Sequence, residues 1–212
     1  MDARQQCDRS TRRLPDSVNG AGDMKQGTGL IKMQLETERL ILRLPSMLDA
    51  PRIRELAGEF EVAKGTLNMP HPYPEGAAEA FIDAANMAWE KLSRCNFAIV
   101  RKPDQQYMGG ISLRPDIAHK HADLGYWIGI PYWNQGYATE AAQHAVDWGF
   151  QQLRLNRIYA QHFGSNPASG RVMQKLGMKY EGTLRQHYIR FGEVQDAVIY
   201  GIVRSEWEAA QK

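Results

Sequence analysis

An apolar run, Leu124-Gly125-Tyr126-Trp127-Ile128-Gly129-Ile130, is followed almost at once by Trp133-Asn134-Gln135-Gly136-Tyr137-Ala138-Thr139-Glu140-Ala141 and a small-residue amphipathic stretch ending near Phe150. A strand, a tight glycine turn and a helix start in direct succession hold the first turn of a helix at the end of a strand. The leading N–H groups of that helix lack intrahelical acceptors, and the helix dipole favours negative charge beside them. Gly136 lets the backbone approach a ligand closely, and Ala138 adds little bulk. A diphosphate fits this cradle. A tight connection that binds nothing has the same residues.

The flanking sequence predicts a mixed α/β chain. Arg39–Leu44 alternates as a strand, and Ser46 is placed to cap a helix running through Glu59. Pro70, Pro72 and Pro74 mark a loop, and a second helix follows from about Glu75 to Leu92. Asn96–Val100 and Tyr107–Leu113 form a hairpin, and Asp123–Ile130 is the fourth strand. The helix after Gly136 carries Ala138, Ala141, Ala142, Ala145 and Gly149 on one face, so it can sit close to a sheet. Asn156–Phe163 is a fifth strand. Asn166-Pro167 then opens a short helix that stops at Gly177, with Asn at the N-cap, Pro at N1 and Gly at C′. Two long strands, Lys179–Arg190 and Glu193–Arg204, meet at Phe191-Gly192. The expected architecture is a mixed, mostly antiparallel sheet of six to seven strands with helices on both faces.

The length of 212 residues suits one large domain or a domain with a tail. Residues 1–33 contain no aromatic residue and no apolar period, so they read as a functionally silent disordered extension, with residues 34–212 as one domain. The extension lacks the apolar core of a secretory signal, and its interspersed acids argue against a transit peptide. The formal charge of +2 resides entirely in those first 33 residues. The body is formally neutral, which argues against a nucleic-acid partner. No apolar run is long enough for a membrane span. Cys7 and Cys95 stand far apart without metal-ligand spacing, so no metal is expected and a cytoplasmic location is.

Several blocks in this chain resemble the GNAT superfamily of N-acetyltransferases, and in particular its RimJ/RimL-like branch, which acetylates ribosomal-protein N-termini. The blocks are Leu35–Arg43, Asp123–Ile128, Tyr132–Ala141, Asn166–Ser169, Lys175–Met178 and Tyr180–Gly182, in the family's order and spacing. Trp133 stands where the wider superfamily has Gln or Arg, and the RimJ/RimL-like branch commonly has Trp. The resemblance implies a sheet splayed between the fourth and fifth strands. It also implies direct acetyl transfer from acetyl-CoA to a primary amine, on a protein N-terminus or a small molecule, and frequent homodimers. A non-catalytic acyl-CoA-binding regulatory module is the alternative.

Carried onto this sequence, the amides of Gln135, Gly136, Tyr137, Ala138 and Thr139 would receive the CoA diphosphate. Ile128 and Ile130 would pair with the pantetheine arm, and Asn166 would bond to it or serve only as an N-cap. Ser169 falls where RimL-like enzymes have a serine proposed to protonate the departing sulfur, or it simply bonds the helix start. Asp123 takes the position of a general-base Glu in many relatives and would act through a water; a solvated strand-end carboxylate is the competing reading. A further Glu of some relatives is replaced by Tyr188. Tyr126, Trp127 and the loop bearing His71 and Tyr73 are expected to wall the acceptor pocket.

Overall fold

A computed structural model describes residues 34–211, and the extension expected over residues 1–33 lies outside the described residues. Eight strands form one sheet: β1 (Gln34–Glu36), β2 (Leu40–Arg43), β3 (Cys95–Arg101), β4 (Tyr107–Asp116), β5 (His121–Ile128), β6 (Arg157–Phe163), β7 (Lys179–Arg190) and β8 (Glu193–Val203). Their spatial order is β1-β2-β3-β4-β5-β6-β8-β7. Every neighbouring pair is antiparallel except β5 and β6. The helices are α1 (Ala50–Ala57), α2 (Phe60–Lys64), α3 (Ala77–Glu90), α4 (Tyr137–Gln152), α5 (Pro167–Lys175) and α6 (Arg204–Ala210).

Three elements differ from expectation. β1 adds an eighth strand, paired with β2 from Gln34↔Arg43 to Glu36↔Ile41; three residues are too few to carry a period-2 signal. The first expected helix divides into a 3-10 turn at Met47–Asp49, α1 and α2. The break falls at Gly58-Glu59, where Glu59 takes up extended backbone and starts α2 afresh. The last strand stops at Val203, because Glu206 accepts from the Val203 N–H at 3.1 Å and begins α6. Trp207 fixes that helix: its indole donates to Asp147 at 2.7 Å and stacks on Phe150.

The small-residue face of α4 explains how closely it lies on the sheet. Ala141, Ala142 and Ala145 are fully buried, and a Cβ added at Gly149 would come within 2.8 Å of Leu113. Methyl-sized side chains on this face let the helix rest on β4 and β5 and carry its N-terminus to the end of β5.

The parallel joint is short. Only His121↔Arg157, Ala122↔Ile158 and Asp123↔Tyr159 pair between β5 and β6, although both strands continue. Beyond Asp123 the sheet opens. With β1 counted, the parting lies between the fifth and sixth strands, at the place expected between the fourth and fifth.

Candidate active site

A cavity of about 840 Å³ occupies the parting. Phe81 of α3 and Met173 of α5 both line it. Side-chain alternation along three strands paves its floor, since Asn96, Ser112 and Gly125 form one cross-strand row. Gly125 contributes no side chain, and a Cβ there would meet only Ser112 Oγ, at 3.6 Å. The missing bulk is part of what keeps the space open.

Of the residues singled out from the sequence, the cavity brings together Tyr73, Asp123, Trp127, Ser169 and Tyr188. The Asp123 carboxylate is already engaged, accepting from Arg114 Nη2 at 2.6 Å. Tyr188 donates to Gln161 Oε1 at 3.2 Å and packs edge-on against Phe163. His71 is not among the lining residues. Its ring is exposed and sits 5.0 Å from Phe60 and 6.4 Å from Phe191, an aromatic contact that holds it against the β7–β8 turn. Its expected place in the acceptor pocket is therefore corrected.

Ser169 has an unforeseen partner. The Tyr126 hydroxyl lies 2.9 Å from both Ser169 Oγ and Ser169 O. Burial pushes the Tyr126 phenol up to about 12, with the Ser169 hydrogen bond opposing, so Tyr126 stays protonated across the physiological range. The Ser169 N–H donates to Asn166 Oδ1 at 3.3 Å, so Asn166 acts as the N-cap of α5. His162 also lines the cavity. Its Nδ1 lies 2.7 Å from the Phe163 carbonyl, which selects the Nδ1–H tautomer, and its Nε2 is turned onto Gly170.

The α4 N-terminus, whose residues are not among those lining the cavity, presents backbone. Gly136 caps α4 at φ +83°, the left-handed region that favours glycine, and no side chain caps the helix. The N–H groups of Tyr137, Ala138 and Thr139 thus have no partner from a cap, and Gln135 and Gly136 are exposed. Arg39 of the loop before β2 braces this turn. It donates to Gln135 O at 3.1 Å and to Glu140 Oε2 at 2.7 Å, and its guanidinium lies 4.4 Å from the Tyr137 ring centroid. Burial raises the Glu140 carboxyl, but hydrogen bonds from Thr37 and Arg39 outweigh it and hold the group below the usual carboxylate range.

Trp133 links the turn to the strand. Its indole donates to Ile128 O at 2.6 Å and its backbone N–H donates to Ile130 O at 3.1 Å. Ile130 is itself corrected: β5 ends at Ile128, and Ile130 begins a single 3-10 turn containing Pro131. It presents no strand edge. Gly129 donates to Met108 O, so by alternation Gly129 and Trp127 face β4 while Ile128 and Tyr126 face the parting. With the Ile128 carbonyl taken by Trp133, the Ile128 N–H and the Tyr126 amide groups are what this edge offers.

The Acetyltransferase (GNAT) domain model matches residues 39–179. This chain belongs to the GNAT acetyltransferase family. It is 34% identical over 176 residues to the uncharacterized N-acetyltransferase YoaA of Bacillus subtilis, covering 80% of this chain and 96% of the relative. It is 26% identical over 183 residues to the ribosomal protein uS5-alanine N-acetyltransferase of Escherichia coli, covering 83% and 93%. A GNAT-family acetyltransferase from Bacillus anthracis superposes with a TM-score of 0.73 at 26% identity, covering 82% of this chain and 99% of that one. Among the described residues no helix is long and apolar enough to cross a membrane.

Proposed function

We propose that this acetyltransferase moves the acetyl group of acetyl-CoA directly to a primary amine within a ternary complex. The observation that carries the reading is the cavity in the β5–β6 parting, with Tyr126 and Ser169 at its side. The α4 N-terminus from Gln135 to Thr139 has the unpartnered amides a diphosphate needs, and the β5 edge at Ile128 has an N–H for an extended amide chain. Fit is good at both places.

In this reading the neutral amine attacks the thioester carbonyl, the C–S bond breaks, and the amine proton leaves while the sulfur gains one. Asp123, held by Arg114, takes the amine proton through a water. Tyr126 donates its one proton to the Ser169 carbonyl, and the Ser169 hydroxyl, 2.9 Å from the Tyr126 oxygen, turns its O–H to the departing sulfur. The acceptor is a protein N-terminal amine, as in the name of the Escherichia coli relative, or a small amine. The test is calorimetric titration of acetyl-CoA beside a free-thiol release assay over N-terminal peptides and small amines. Binding with release on one acceptor supports the reading. Binding with no release on any acceptor supports the non-catalytic acyl-CoA-binding module instead, and no binding overturns both.

A further inference from the structure

Charge in the cavity is unevenly matched. Extending the register Cys95↔Leu113 by one residue sets Arg94 opposite Arg114, and Arg114 in turn pairs with Asp123 on β5. The row across β3, β4 and β5 is therefore cation, cation, anion, and all three residues line the cavity. Arg114 is neutralised by Asp123 at 2.6 Å. Arg94 forms no ion pair and no side-chain hydrogen bond among the described residues, and it is only partly exposed. Like charges directly opposite in a sheet destabilise it, and here no second carboxylate is supplied. Among the cavity's lining residues Asp123 is the only acidic one, against two arginines.

The next row inward points the same way. Asn96 is only 7% exposed, lines the cavity and has no side-chain hydrogen bond to protein among the described residues. It opposes Ser112, and both line the cavity. A guanidinium, an amide and a hydroxyl, all without protein partners, form one polar wall leading toward the parting.

We propose that the acceptor amine carries a carboxylate, that Arg94 binds it, and that Asn96 and Ser112 bond the polar groups between carboxylate and amine. This rests on the acetyl-transfer reading and adds the substrate class. Two strand spacings separate the Arg94 position from Asp123, about 10 Å, so the carboxylate lies within a few bonds of the amine. A free acidic amino acid and a peptide with an acidic residue next to its N-terminus both carry this chemistry. A polyamine does not: its added positive charges would meet Arg94 across a partly dehydrated cavity.

The experiment measures acetyl-CoA-dependent thiol release by the full chain on matched acceptors. These are glutamate α-amide against glutamine α-amide, peptides beginning Ala-Glu against Ala-Gln and Ala-Lys, and spermidine. Acidic acceptors are expected to exceed their amide twins by about 10- to 100-fold in kcat/KM, the range of one charge-assisted hydrogen-bonded contact. R94Q should erase that advantage, lowering the rate on the acidic acceptors at least about tenfold more than on their amide twins. R94E should turn the preference toward the lysine-bearing peptide, a gain that misfolding cannot produce. The glutamate and peptide arms identify the source of the carboxylate. Equal rates on acid and amide acceptors, or an R94Q loss shared by all acceptors, overturns the proposal and leaves acetyl transfer standing. Release on no acceptor overturns both readings together.

Discussion

The proposed diphosphate end of the site is one continuous segment, Trp133–Glu140, whereas the proposed acceptor end gathers side chains from β3, β4, β5, α5 and β7. The first works through backbone amides, so it asks little of side chains beyond a glycine that can turn left-handed and a small residue behind it. The second works through side chains set side by side by sheet register, each of which is unremarkable alone. A continuous backbone site constrains local sequence strongly. A register-built site constrains it only through pairings tens of residues apart.

The sharpest way to break this contrast is at Gly136. Gly136→Glu forces a side chain into left-handed backbone and sets an anion beside the helix N-terminus, with expected acetyl-CoA binding weaker by roughly 100-fold or more. Gly136→Ala carries the backbone cost without the charge and should lose far less; calorimetry on both separates the two effects. If Gly136→Glu binds acetyl-CoA like the parent, the backbone site is misassigned.

Next in size is Ser169→Ala, which should lower turnover by roughly 10- to 100-fold with acetyl-CoA affinity within about twofold. Its N–H bond to Asn166 Oδ1 is unaffected by the substitution, so the α5 cap survives. Equal turnover in steady-state assays would return Ser169 to a helix-start role.

Tyr126 supplies a pH-dependent test. Its phenol is raised from an ordinary 10.0 to about 12 in the folded protein. The unfolded chain therefore ionises first as pH rises, and stability is lost between about pH 10 and 12. The loss approaches about 2–3 kcal/mol, from 1.36 kcal/mol per pKa unit. Tyr126→Phe should lack this loss, and denaturant titrations at pH 9 and 11.5 would reveal it. Parallel pH dependence in both proteins would place the phenol in water.

The smallest effect belongs to His71. Because its ring packs on Phe60 and Phe191 outside the cavity, His71→Ala should change kcat/KM by less than about twofold. A large fall on the preferred acceptor would restore it to the acceptor pocket.

The same contrast explains what could be read from the chain before its fold was known. Gly136, Pro167 and Gly177 punctuate elements locally, and the helices they bound begin or end within a residue or two of those positions. The turn at Phe191-Gly192 was equally legible, since both residues adopt positive φ between long strands. Arg39 was legible only as a strand residue, because its contact with Gln135 spans 96 positions. Arg94 carried no signal at all. It becomes notable only when β3 and β4 align it with Arg114, a fact of register that no local window contains. Tyr126 was read as a pocket wall, and its bond to Ser169 required α5 to fold back over the parting.

The three-residue seam between β5 and β6 has a mechanical meaning as well. Five strands on one side and three on the other form hydrogen-bonded ladders, and among the described residues strand pairing links the two sets only at His121–Asp123, with α4 packed across both. Within the sheet this makes two plates with one short weld, so the hydrogen-bonded resistance to their relative twisting is smallest at the seam. An extended molecule lodged in the gap and bonded to the Ile128 edge would act as a cross-brace, shortening the lever over which that twist develops. Part of this protein's rigidity during a reaction is then borrowed from the molecule it is about to cut.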